Sequence, residues 1–191
     1  EDMVDVTAAM VSAKYKFEND FDICQLVNSR ERQQIIGEWE VSPIDILCDR
    51  QFPDTVCRAY SNFDSHGFTI HPLFMIKAPN KVCHYANVPF RALIPKELDG
   101  VLATGLGVSA HRDSLPLIRM QPDVQNQGYA AGCAAAMSAQ TQCGIRDINL
   151  KKLQQHLIEI GCLDSQQLCA SDNFPLANDV LSYMVTEEWD T

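Results

Sequence analysis

The densest run of reactive side chains is Ser109-Ala110-His111-Arg112-Asp113. An imidazole with an unperturbed pKa near ~6.5 exchanges protons at neutral pH, so His111 suits proton transfer or substrate orientation. Arg112, and Arg91 upstream, carry the forked guanidinium that holds a carboxylate through two parallel hydrogen bonds. Ser109, His111 and Asp113 have the residue types of a hydrolytic triad. Triad partners converge in space rather than in sequence, however, and no GxSxG elbow occurs. A second polar group comprises Asp64-Ser65-His66-Gly67, His71 and Cys83-His84. Its His66-to-His71 gap suits zinc only loosely, and adjacent Cys83 and His84 would point to opposite faces of a strand. No metal site is expected. The eight cysteines are scattered, with no two-residue gap of a zinc knuckle or redox motif, and are expected to be reduced.

The other chemically suggestive stretch is Arg119-Met120-Gln121-Pro122-Asp123-Val124. Pro122 lacks an amide hydrogen and fits the first turn of a helix, where that donor would be unpaired. The remaining amides of such a turn, with the helix dipole, favour an anion or a carbonyl oxygen in front of them. Behind them Gly128, Ala131, Gly132 and Ala135 recur at spacings of three and four. This yields a helix face nearly bare of side chains, which a backbone or a flat ligand can approach closely.

Positioning these groups requires a series of elements. Apolar residues from Met3 to Phe17 follow helical spacing, with Asp2 as the expected cap. Alternation over Ile35 to Val41 predicts a strand. Ser42-Pro43-Ile44-Asp45 carries a cap, a first-turn proline and the reciprocal acid of a capping box, which predicts a short helix closed by Arg50-Gln51-Phe52-Pro53. From Thr55 to Pro95 the chain reads as extended: strand at Phe68–His71 and Leu73–Ile76 broken by Pro72, then β structure from Val82 to Leu93. Val101 to Gly105 reads as a short apolar strand, Gly107 to Met120 as a polar loop, and Pro122 to about Gln140 as a helix. A last amphipathic helix, Leu150 to Ile160, ends at Gly161.

Size and charge narrow the functional classes. The chain has 191 residues, 46% hydrophobic and 21% charged, which is enough for a cored domain. Fifteen Lys and Arg against twenty-five Asp and Glu leave a formal charge of −10, which disfavours phosphate backbones and anionic lipid, so neither nucleic acid nor membrane is an expected partner. The longest apolar stretch, Tyr129 to Met137, falls far short of the ~20 residues that span a bilayer. The opening Glu1-Asp2-Met3 carries no secretory leader, which leans towards the cytoplasm, and is expected to belong to something longer.

Four separated stretches together resemble the C-terminal half of the FAD-dependent oxidoreductase family with a glutathione-reductase-like fold. They are Ser29-Arg30-Glu31-Arg32 through Ile36-Gly37-Glu38, Arg50-Gln51-Phe52-Pro53-Asp54, Val88-Pro89-Phe90-Arg91 through Pro95-Lys96, and Leu102-Ala103-Thr104-Gly105 through Gly128-Tyr129-Ala130-Ala131-Gly132. The similarity spans roughly Phe21 to Leu168. It implies an α/β (mixed α+β) fold in three parts: 1–98 as a substrate-region segment, 99–145 as the closing strand and flavin-facing helix of the FAD domain, and 146–191 as a helical tail.

The resemblance also implies FAD as cofactor, with Gly105, Leu106, Arg119, Gln121, Pro122, Asp123, Val124 and Gln127 beside it. It implies hydride transfer from a small organic substrate, with His111, Arg112 and His66 as catalytic candidates and Arg91, Arg30 and Asp113 contacting substrate. Family members often place Arg after the glycine and follow it with a Ser-Ala-Thr-His-Glu loop; here Leu106 stands after Gly105 and the loop reads Ser-Ala-His-Arg-Asp. The GxGxxG turn that cradles the FAD pyrophosphate is missing. The expected partner is therefore an N-terminal FAD-binding half, on the same parent chain or another, and this piece alone should bind FAD poorly. The alternative is a non-catalytic assembly subunit that lends its helix to a partner.

Overall fold

The computed structural model describes residues 3–19, 34–65, 69–76 and 83–178. The chain forms two compact units, 1–32 and 33–191. In the first, helix α1 (Met3–Lys16) follows the apolar spacing, with Lys14 and Lys16 in its last turn, where cations oppose the dipole. The proposed Asp2 cap and the basic Arg30 cluster lie outside the described residues.

The second unit begins with an extended segment, residues 34–41, that the alternating pattern predicts as a strand. Its main chain instead bonds alternately to two neighbours. Glu38 N–H donates to Ile94 O at 3.0 Å, Ile35 N–H to Gly107 O at 3.0 Å and Val41 N–H to Ser109 O at 3.1 Å, leaving isolated bridges rather than a ladder. The crossing is tight: a Cβ on Gly37 would lie 2.5 Å from Ser109 Cβ, so only glycine fits. Helix α2 (Pro43–Leu47) starts with the capping box read in the sequence, Ser42 Oγ accepting from Asp45 N–H and Asp45 Oδ2 accepting from Ser42 N–H.

The sheet of the described residues is a two-stranded antiparallel ribbon, β1 (Thr55–Asn62) with β2 (Cys83–Pro89), in which Ala59 faces Ala86 and Tyr60 faces Tyr85. Four expectations about this region and the segment after it fail. Of the strand expected at Phe68–His71, the described residues 69–71 form none. Leu73–Ile76 is part of helix α3 (Pro72–Ile76): Pro72, read as a strand breaker, is a helix-opening residue. The β stretch expected to Leu93 stops at Pro89, beyond which Phe90–Leu93 winds into a 3-10 turn. Val101–Gly105 forms no strand; its Ala103 N–H reaches Leu93 O at 2.9 Å, but a strand needs a paired neighbour over several residues.

The segment read as a polar loop is mostly interior. Val108, Ala110, Leu115, Leu117 and Ile118 are buried, the last three on α4 (Leu115–Ile118). They join Val41, Val56, Ala59, Ala86, Val88 and Leu93 in one core that also takes Ala130 and Ala134 from α5 (Gln121–Thr141) and Leu153 and Leu157 from α6 (Leu150–Glu159). Asn149 caps α6 through Lys152 N–H, and Gly161, at φ +78°, follows its end as expected. The architecture is thus mixed helix and strand around a small sheet. The seven described cysteines are free. No helix among the described residues is long and apolar enough to cross a membrane.

Candidate functional site

Helix α5 begins at an end that no side chain caps. Met120, its N-cap residue, is extended (φ −67°, ψ 152°) and makes no capping bond, Pro122 occupies the first turn, and Val124 N–H closes the first turn on Met120 O at 2.9 Å. Gln121 and Pro122 are exposed. The dipole-aligned donors of this turn are therefore available to an oxygen from outside the segment.

Gln127 fixes what stands behind that end. Fully buried, its Oε1 accepts from Gly105 N–H at 3.0 Å and its Nε2 donates to Ile118 O at 2.9 Å. One amide thus holds the Gly105-Leu106-Gly107 turn and the end of α4 against the helix. Gly105 adopts φ +65°, and a Cβ there would lie 3.1 Å from Val124 Cγ1, so the turn needs glycine for its conformation and its contact. Leu106 is half-buried on the same turn. The side chain of Gln127 is spent on this scaffold, and Arg119 is likewise committed, donating from Nη2 to Asp64 O at 2.7 Å.

Asp123 is the unusual member of the first turn. Rather than capping the helix, its carboxyl turns inward against β1 and is 7% exposed, with Oδ2 buried and unpartnered. Burial pushes its pKa up to about 6, opposed by a bond from the Tyr60 main-chain N–H. The neighbouring Cys57 thiol, which donates to Asp123 O at 3.6 Å, is pushed upward by burial and then by Asp123. Cys57 therefore packs as an inert thiol.

A second group gathers on the 109–113 loop. Asp113 is buried, and its Oδ2 accepts from Ile70 N–H at 2.8 Å and His71 N–H at 2.7 Å. Asp113 N–H donates to His111 Nδ1 at 3.1 Å. The His71 and His111 rings meet edge to face, 87° apart with centroids at 5.2 Å. Arg112 Nη1 lies 4.0 Å from Asp113 Oδ1. The carboxylate expected to meet substrate thus anchors the start of α3 and brings His71 to His111. Burial, then the His111 ring, lower the His71 pKa, and Asp113 opposes them. The sequence suggests His71 only as a metal ligand; no cluster of three or more metal-ligating side chains occurs among the described residues.

Arg91 lies apart from both groups. Its guanidinium grips Asp54 bidentately, Nε to Oδ2 at 2.9 Å and Nη2 to Oδ1 at 3.1 Å, and lies 5.0 Å from the Trp39 ring. Two of its edge donors are therefore already used. His66 lies outside the described residues, as does Arg30.

A family model described as FAD dependent oxidoreductase matches residues 8–157. The chain belongs to the FAD-dependent oxidoreductase family. No curated protein and no solved structure matches it. Membership makes the general role that of a flavoprotein oxidoreductase and names FAD as its cofactor. Among the described residues, the uncapped first turn of α5 has a donor set that fits such a group. Its donor set is main-chain amide and dipole, the chemistry that receives charge developing on a carbonyl oxygen. Downstream, Gly128 and Gly132 are exposed, and a Cβ on either would meet nothing within 4 Å. The small-residue face of this family member is open.

Proposed function

We propose that this chain is the C-terminal half of an FAD-dependent oxidoreductase that transfers a hydride from a small organic substrate to the flavin. The observation that supports it best is the α5 start, uncapped at Met120, carrying Pro122, and braced from behind by the Gln127 bonds to Gly105 and Ile118. When bound, FAD would supply the hydride-accepting ring. Gln121, Pro122, Asp123 and Val124 would hold its electron-accepting edge, with Gly105 and Leu106 beside it. The amides of that turn would stabilise negative charge gathering there. His111, half-buried on its loop, offers a ring N–H to the substrate, and Arg112 adds positive charge for an anionic substrate. Arg91, with part of its fork already on Asp54, would orient substrate only through its remaining edge.

An N-terminal half carrying the phosphate-cradling turn completes this reading, since no GxGxxG occurs in the chain. One observation favours a second reading, a non-catalytic subunit lending α5 to a partner. The Gly128 and Gly132 face is open to close approach whether or not chemistry follows. Co-purification with a GxGxxG-bearing half, followed by a visible absorbance scan, separates the two. Flavin in the assembly and loss of turnover in His111→Ala with flavin retained support the enzyme. A colourless assembly, or undiminished turnover in that variant, refutes it.

A further inference from the structure

The 5.2 Å ring contact between His71 and His111 joins residues from two segments that one carboxylate ties together. Their nitrogens are not equivalent. Because Asp113 N–H donates to His111 Nδ1, the ring hydrogen of neutral His111 sits on Nε2, which makes that edge a donor. Protonating His111 would place a hydrogen on Nδ1 and break the bond that orients the ring. His71 has no such constraint. Its main-chain N–H is tied to Asp113, while its Nδ1 is buried and unpartnered.

The charged and titratable groups facing His71 are His111 and Asp113 on the loop, with Arg112 beyond Asp113; Phe74 of its own helix lies edge-on at 5.9 Å. Asp113 supports a positive charge on His71, while burial and the His111 ring oppose it and prevail.

We infer that His71 and His111 form one acid–base unit, in which His111 donates its Nε2–H to a substrate hydroxyl or amine and His71 receives the proton that this group loses. The inference rests on the oxidoreductase reading for its substrate class. A hydroxyl or amine matches the pair because it both accepts a hydrogen bond and gives up a proton. The substrate O–H or N–H bond breaks, its electron pair stays on the heteroatom, and an N–H bond forms on His71, which becomes an imidazolium beside Asp113. The C–H electron pair leaves as hydride to the oxidised flavin.

Ring-nitrogen NMR titration of the 191-residue chain without flavin tests the pair directly. His71 is expected to titrate below its ordinary value of 6.5 and His111 to hold its hydrogen on Nε2. Replacing His111→Gln should raise the proton affinity of His71, because the His111 ring opposes a charge there. A His71 that titrates normally and ignores that replacement, or a His111 carrying its hydrogen on Nδ1, overturns the inference. In the flavin-loaded assembly, His71→Gln should remove the acid limb of the kcat/KM profile while flavin stays bound; an unchanged limb also overturns it. Because the bond from residue 71 to Asp113 is main-chain, the replacement leaves that anchor in place. An assembly that takes up no flavin refutes the enzymatic reading instead, and the flavin-free titration still decides the histidine pair.

Discussion

Replacing Asp123→Asn should make the protein more stable at neutral pH, although it alters a buried polar residue. Folding takes the carboxyl from its ordinary value of 3.8 to about 6 by removing it from water. A raised carboxyl pKa means that the unfolded chain ionises more readily than the folded one. The cost of Asp123 is therefore absent below pH 3.8, grows as pH rises, and is fully present above about pH 6. At face value the gap is worth about 3 kcal/mol; relaxation and solvent around the helix end leave about 1–2 kcal/mol. Asparagine retains an oxygen for the Tyr60 N–H and cannot ionise, but its amide hydrogens occupy the place of the unpartnered Oδ2. It should thus be neutral or slightly destabilising in acid and stabilising in base. Urea unfolding across the acid to neutral range reads this as midpoints that converge in acid and separate above pH 6. Parallel stability curves for the two proteins would refute the reasoning, because they would mean that Asp123 titrates alike folded and unfolded.

Gly37→Ala should cost about 1–3 kcal/mol in thermal or urea unfolding, since its Cβ would lie 2.5 Å from Ser109 Cβ, and Ser109→Gly should recover much of it. Gln127→Ala should cost about 2–4 kcal/mol by orphaning both Gly105 N–H and Ile118 O, and Gln127→Glu should restore only the bond from Gly105; denaturation midpoints of the two variants check this. Arg91→Lys keeps the charge but loses the two-pronged grip on Asp54, with an expected loss of about 1 kcal/mol that a double-mutant cycle with Asp54→Asn isolates.

What was legible in the sequence was what local chemistry decides. Ser42 and Asp45 cap α2 because both partners lie within one turn, Pro122 enters α5 because its missing N–H is harmless there, and Gly161 ends α6 because it tolerates positive φ. What was illegible depended on tertiary partners. Pro72 breaks a strand and opens a helix equally well, and the tie from Asp113 to Ile70 and His71 favours the helix. The 107–120 segment read as polar because Ser109, His111, Arg112 and Asp113 dominate its start. Leu115, Leu117 and Ile118 could be placed inside only once the sheet and α5 were there to receive them.

The candidate site was legible in the same uneven way. Its helix start could be read from Pro122, but the commitments of Gln127 to main chain and of Arg91 to Asp54 could not, since a polar side chain's partner is invisible at long separation. His71 was the residue most completely missed, because its contact with His111 spans two segments and leaves no local pattern.

Amide hydrogen exchange at Gln121 and Asp123, beside the Val124 N–H that is already bonded to Met120 O, in the assembly with a GxGxxG-bearing half, compared with and without FAD, tests the α5 site most directly. Slowed exchange across this first turn of α5 is expected when FAD is added, stronger after reduction, with residues 150–159 of α6 unchanged. Exchange at the turn that is indifferent to FAD would contradict it.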